Sequence, residues 1–233
     1  MCVIAIKPKG VALPSKDLLK KMWSDNPDGA GFSVTPKDST ETFVEKGFLT
    51  FKHFYKYLVR YTTSIDDLVV MHFRWATHGY RSAGHTHPFP VSKYKSALER
   101  LKYSSDVVIF HNGIILMKNQ PPTWSDTMYY IGGVIAHMEK LDYQKIIEHT
   151  TGNRLCIIDQ GVPHITGEGW AEEEGIFYSN LSWKASKRKM ITYASTSAFQ
   201  EMNDAEWDLY MRSIEKGSKK LTFVDTIFAP YEN

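Results

Sequence analysis

The chain opens on Met1-Cys2-Val3-Ile4-Ala5-Ile6, and this start constrains the fold more than any other feature of the sequence. Residues 2–6 are apolar without alternation, so a strand built from them has no face suited to water. Such a strand has to be covered on both sides by further layers of structure. Its first residue is a cysteine, which places a thiol at the edge of the interior. Two later runs, LVVMHFRW over 68–75 and DVVIFHNG over 106–113, are also apolar and of strand length. Each finishes in polar residues where a buried strand would emerge.

Between these runs the pattern is mixed. Ser15 followed by Leu18, Leu19, Met22 and Trp23 predicts a helix that stops at Asn26-Pro27-Asp28-Gly29. Ala30 to Val34 and Thr42 to Phe48 read as strands. Phe51, Phe54, Tyr55 and Leu58 fall on one helical face. Ser125 is placed to cap a helix running through Met128, Ile131, Ile135 and Met138, with Asp126 in its first turn. Strands are expected over 154–159, 175–179, 189–195 and 221–228, and a helix over 205–214. The elements do not alternate regularly, so the class is α+β.

No repeat, low-complexity tract or linker divides the 233 residues, and one domain over 1–233 is expected. A formal charge of +2 gives no bulk reason to expect nucleic acid or a membrane surface as partner. No apolar stretch approaches the roughly 18 residues of a membrane span, and the start lacks a signal peptide's apolar region. A cytoplasmic protein is expected. Cys2 and Cys156 are too few for a disulfide framework, and a bridge between them is disfavoured.

Four groups of residues have chemistry of their own. If Met1 is removed, Cys2 carries both a thiol and a free α-amine, whose reference pKa of about 7.7–8.0 suits a base at neutral pH. The competing reading of Cys2 is a small buried hydrophobe. Arg74 can grip a carboxylate through two parallel hydrogen bonds, or form an internal ion pair. Asn112-Gly113 offers a side-chain amide and an unencumbered backbone N–H, the donors of an oxyanion hole, but is equally a turn dipeptide. Asp126 can pair with an ammonium group or complement a helix dipole. His72, His78, His85, His87 and His111 lie near the same strand ends, which raises a metal-dependent hydrolase as a rival. Only His85 and His87 are closely spaced, so no metal is expected.

Taken together, Met1-Cys2, Asn26-Pro27-Asp28-Gly29-Ala30-Gly31, Arg74-Trp75-Ala76-Thr77-His78-Gly79, His111-Asn112-Gly113 and Ser125-Asp126-Thr127 resemble the glutaminase domain of class II glutamine amidotransferases. These belong to the N-terminal-nucleophile hydrolases. The resemblance covers roughly residues 2–195, including Arg154 to Asp159 and Ser179-Asn180. It implies a four-layer αββα sandwich of mostly antiparallel sheets, with glutamine as substrate and no cofactor. Cys2 is implied as nucleophile, Asn112 and Gly113 as the oxyanion hole, Arg74 as the carboxylate clamp and Asp126 as the ammonium partner. Thr77 and His78 would shape the pocket, and Gly79 to Phe89 would close over it.

Two departures accompany the resemblance. The chain ends before a synthase domain would fit, which points to an ammonia acceptor on a separate protein or to a free-standing hydrolase. Lys93 to Lys102 alters the family's spacing with a charged segment. Two further readings of the same fold stay open: a non-catalytic binding subunit, and cleavage of another γ-glutamyl amide.

Overall fold

The computed structural model of the protein describes residues 2–76 and 82–185. The elements expected over 189–195, 205–214 and 221–228 lie outside the described residues, as do Thr77 and His78.

The strand expected at the start forms as β1 (Val3–Lys7), buried at every position. It lies inside a seven-stranded sheet with β2 (Ala30–Thr35), β3 (Thr42–Phe48), β4 (Leu68–Phe73), β6 (Lys102–Ser105), β10 (Ala171–Glu173) and β11 (Ile176–Tyr178). The order is β10-β11-β1-β4-β2-β3-β6. A second sheet of β5 (Phe89–Pro90), β7 (Val107–Asn112), β8 (Arg154–Asp159) and β9 (Val162–Thr166) runs in the order β5-β7-β8-β9. The strand pairings in both sheets are antiparallel, and the protein is an α+β sandwich.

The absence of alternation in the apolar runs now has its cause. Ile4, Ile6, Val44, Leu68 and Val70 of the larger sheet pack against Val108, Phe110, Cys156 and Ile158 of the smaller one. The opposite face of the larger sheet meets helix α2 (Phe51–Tyr61), where Phe54 rings contact Phe32, Phe48 and Phe73 at 6.1, 5.9 and 5.1 Å. Thr50 starts that helix by accepting a hydrogen bond from the His53 N–H at 3.3 Å. Helix α1 (Lys16–Asp25) is capped by Ser15 and buries Leu19, Met22 and Trp23. On the smaller sheet, Phe89, Ile109, Leu155 and Ile157 pack against Met128 and Ile131 of α4 (Asp126–Gly133) and Ile146 of α5 (Tyr143–His149).

Helix α4 is shorter than its apolar spacing predicts. It ends at Gly133, and Ile135 sits in a separate 3-10 turn over Ile135–His137. Gly132 and Gly133 in succession weaken the helix by about 1 kcal/mol each relative to alanine, and the apolar side chains reach the core without it. Gly132 also lets the chain approach the Trp124 ring, which a Cβ there would meet at 3.0 Å.

The charged segment over 93–102 forms α3 (Lys95–Leu98) and then enters β6. Its position explains Lys46, a fully buried lysine on β3. The Lys46 Nζ donates to the carbonyls of Leu98 at 2.7 Å and Gly84 at 3.1 Å, and lies 3.9 Å above the Phe89 ring. Burial pushes its pKa well below the ordinary lysine value, and the carbonyls supply the partners that a buried amine requires. Among the described residues, no helix is long and apolar enough to cross a membrane.

Candidate active site

The register of β1 against β4 pairs Val3 with Phe73, so Cys2 comes to lie beside the turn that leaves β4. The Cys2 Sγ accepts from the Trp75 N–H at 3.3 Å and approaches the Trp75 carbonyl at 3.4 Å. The turn itself is clamped by the Asn26–Gly29 segment. Arg74 N–H donates to Gly29 O at 2.8 Å, Asp28 N–H to Arg74 O at 3.0 Å, and Ala76 N–H to Asp28 Oδ2 at 2.8 Å. Gly29 adopts φ +117°, and a Cβ there would lie 2.7 Å from Thr86. This accounts for Asn-Pro-Asp-Gly in the sequence: the segment terminates α1 and then supports Arg74 and Trp75. Arg74 is buried.

Burial pushes the Cys2 thiol above its ordinary pKa, and the Asp126 carboxylate adds to that. The Trp75 N–H, the Arg74 charge and the chain's N-terminal amine oppose it. Arg74 and Asp126 both lie within electrostatic reach of the sulfur. A thiol held neutral in this way needs a base close by before it can act as a nucleophile. Cys156 is fully buried between the sheets, far above its ordinary pKa for that reason, and both cysteines are free.

Asn112 ends β7 on the second sheet, in register with Arg154 of β8. It is therefore not the corner of a tight hairpin, the competing reading of Asn-Gly. Its Nδ2 donates to Ser179 Oγ at 2.9 Å, while its buried Oδ1 has no hydrogen-bond partner. Gly113 adopts φ +149°, and a Cβ built on it would fall 2.0 Å from Asn153 Oδ1. Asn153 is itself held by His111, whose Nε2 lies 2.8 Å from the same oxygen. Gly113→Ala should therefore destabilise the fold by about 2–4 kcal/mol, from backbone strain plus overpacking. Urea unfolding of the variant measures this, and a midpoint equal to that of the parent would refute the packing argument.

Asp126 is the first residue of α4, and Ser125 Oγ caps the helix by accepting from the Met128 N–H at 3.2 Å. Its carboxylate accepts from the Ile115 N–H and the Thr127 N–H, both at 2.8 Å. Asp126 thus sits at a helix start, where its charge complements the helix dipole, and the same charge acts on the Cys2 thiol.

Three of the five histidines come together beneath the site. His72 stacks on His87 with ring centroids 4.2 Å apart, and His111 lies 6.2 Å from His87. Thr127 Oγ1 links His87 Nε2 at 3.2 Å to His111 Nδ1 at 2.8 Å, and His72 Nε2 reaches the His111 carbonyl at 3.0 Å. Burial lowers all three pKa values, that of His72 to about 3. These are neutral rings with most of their nitrogens engaged by protein groups. Among the described residues, no group of three or more His, Cys, Asp or Glu is arranged to hold a metal ion.

Sequence reasoning singled out Cys2, Arg74, Asn112, Gly113 and Asp126, and the fold brings them to one end of the two sheets. It did not single out Asn153 or Lys46, and it noted Thr127 and Ser179-Asn180 only as part of the resemblance. The pair turns out to be close to the site: Asn180 Nδ2 donates to Cys2 O at 2.8 Å, and Ser179 Oγ accepts from the Ile4 N–H at 2.9 Å.

Comparison with known proteins adds one relative. No family model matches the chain. It is 28% identical over 159 residues to a protein named glutamine–fructose-6-phosphate aminotransferase (isomerizing) from Shouchella clausii strain KSM-K16. The similarity covers 68% of this chain and 21% of the relative. The chain is a distant homologue of a glutamine-dependent aminotransferase. It spans about a fifth of that protein's length, so the similarity bears on one part of the relative only.

Proposed function

We propose that the protein is a glutaminase of the class II amidotransferase type, with Cys2 as nucleophile once Met1 has been removed. The observation that carries this reading is the convergence of Cys2, Arg74, Asn112, Gly113 and Asp126 from four separate strand or helix ends. The order of helices and sheets also fits the four-layer αββα sandwich of N-terminal-nucleophile hydrolases, with the nucleophile at the start of an inner strand.

In this reading Arg74 binds the α-carboxylate of glutamine and Asp126 its α-ammonium, which holds the side-chain carboxamide over the Cys2 sulfur. The freed α-amine of Cys2 takes the thiol proton, and the thiolate adds to the carboxamide carbon. The oxyanion so formed is held by Asn112 and the Gly113 N–H. As the C–N bond breaks, the amine returns its proton to the leaving nitrogen and ammonia departs. The same amine then activates water, which cleaves the γ-glutamyl thioester and releases glutamate. No cofactor takes part in these steps, and the ammonia is released for an acceptor.

Mass spectrometry of protein treated with an electrophilic glutamine analogue tests this reading. An N-terminal peptide that begins at Cys2, carries the label and is protected by glutamine is the expected result. Retention of Met1 with Cys2 unlabelled would refute it and turn attention to a non-catalytic binding subunit.

A further inference from the structure

We infer that Ser179 is a positioning residue: its hydroxyl sets the Asn112 amide so that the NH₂ group, and not the oxygen, is offered to the oxyanion. The inference rests on the glutaminase reading above.

It starts from the hydrogen-bond inventory around one hydroxyl. Ser179 Oγ accepts from the Ile4 N–H at 2.9 Å. A hydroxyl also has one proton to donate. With the amide drawn so that Nδ2 faces Ser179, the hydroxyl receives a second donor at 2.9 Å, and the buried Asn112 Oδ1 has no partner. Turning the amide by 180° places Oδ1 where Nδ2 stood. Ser179 then accepts from Ile4 and donates to Asn112, so that its one proton has an acceptor. The buried oxygen is satisfied, and the group left over is the Asn112 NH₂. A buried donor without a protein partner is costly in a resting protein, but it is what an oxyanion hole must hold in reserve.

The anchoring of Ser179 supports the assignment. Its own N–H donates to Ile4 O at 2.9 Å, so it is tied to Ile4 through both backbone and side chain. Ser179 is fully buried, and the neighbouring Asn180 holds the Cys2 carbonyl at 2.8 Å. Two adjacent residues therefore fix the nucleophile strand of one sheet and the oxyanion donor of the other in a single frame. Removing the hydroxyl frees the amide to present either end.

Steady-state kinetics of glutamine hydrolysis, together with binding of the aldehyde analogue of glutamine, test the inference. The aldehyde adds the thiol to its C=O and loses nothing, giving a hemithioacetal whose oxygen occupies the oxyanion position. Ser179→Ala should lower kcat by roughly 10²-fold, approaching the loss in Asn112→Ala, with KM within about twofold. Aldehyde affinity should fall in step with kcat, glutamate affinity should hold, and Ser179→Thr should recover most of the loss. If Ser179→Ala does not fold, the nearly isosteric Ser179→Cys is expected to show the same split to a smaller degree. Unchanged kcat in the folded variant, or equal damage to aldehyde and glutamate binding without rescue by threonine, would overturn the role of Ser179 and leave the glutaminase reading standing. A parent protein that starts at Cys2 and releases no ammonia from glutamine would overturn both.

Discussion

Protein that begins at Cys2 will release ammonia from glutamine, and the same chain with one uncleaved residue before Cys2 will lose about 10²- to 10⁴-fold of that rate, the usual contribution of a positioned general base. The expectation comes from the state of the thiol. Burial and the Asp126 carboxylate push the Cys2 pKa up, and the Trp75 N–H and Arg74 charge only partly offset them. Near neutral pH the sulfur is protonated and inert until a base takes its proton. The α-amine of Cys2 is two bonds from the carbon that carries the sulfur's own attachment, and its reference pKa of about 7.7–8.0 leaves a usable fraction unprotonated. Acylating it in a peptide bond removes its basicity altogether. Cys2→Ala should go further, to about 10⁶-fold, on the scale seen when a hydrolase loses its nucleophile. The measurement is ammonia release by three preparations whose N-termini are verified by mass: processed, extended by one residue, and Cys2→Ala. An extended chain as fast as the processed one would eliminate the amine as base.

The parts of this site that were legible in the sequence share one property: each is announced by its immediate neighbours. Cys2 opens an apolar run, Arg74 and Asn112 close two others, and Asp126 follows a capping serine. A buried strand advertises itself locally, and so do the polar residues at its ends. Ser179 and Asn153 carry no such local sign. Ser179 meets Asn112 across 67 positions of sequence, and Asn153 meets His111 across 42. Their roles follow from the pairing of β11 with β1 and of β7 with β8, which hydrophobic spacing does not specify. Lys46 is the reverse case, since a lysine on a strand reads as an edge or surface residue. Only the fold shows that α3 ends over it and that a segment departing from the family's spacing supplies its carbonyl partner. The end of α4 was misread because the apolar spacing continues through Gly132-Gly133, while the backbone does not stay helical.

Mild acid should unfold the protein through its buried histidines. His72 is held neutral by burial down to a pKa of about 3; the hydrogen bond to the His111 carbonyl opposes the shift, while the His111 ring and the Arg74 charge reinforce it. His87 is lowered well below its ordinary value by burial, then by His72, His111, Lys46 and Arg74. His111 is lowered by burial, although Asp126 and Asn153 oppose the shift. In the unfolded chain these rings regain a pKa of about 6.5. Their folded pKa values lie below that, so their contribution to stability is complete above pH 6.5 and is lost as pH falls toward the folded values. At pH 5 the unfolded chain binds nearly one more proton at His72, and most of one more at His85, which burial lowers to about 4, and together these lower stability by roughly 2.5 kcal/mol per pH unit, with His87 and His111 acting in the same direction. Against a typical domain stability of about 5–15 kcal/mol, one to two pH units below 6 remove a large share. Carboxylates, with reference pKa values of about 3.9 to 4.3, are largely ionised above about pH 5 in the unfolded chain, so the window from pH 6 to 5 is weighted toward the histidines. Urea midpoints measured across that window should fall steeply and return when pH is restored. A His72→Asn variant should show a slope shallower by about 1.4 kcal/mol per pH unit. If the parent's stability changes by less than the equivalent of one proton over that window, the rings titrate in the folded protein, and the histidine stack is not sealed from solvent.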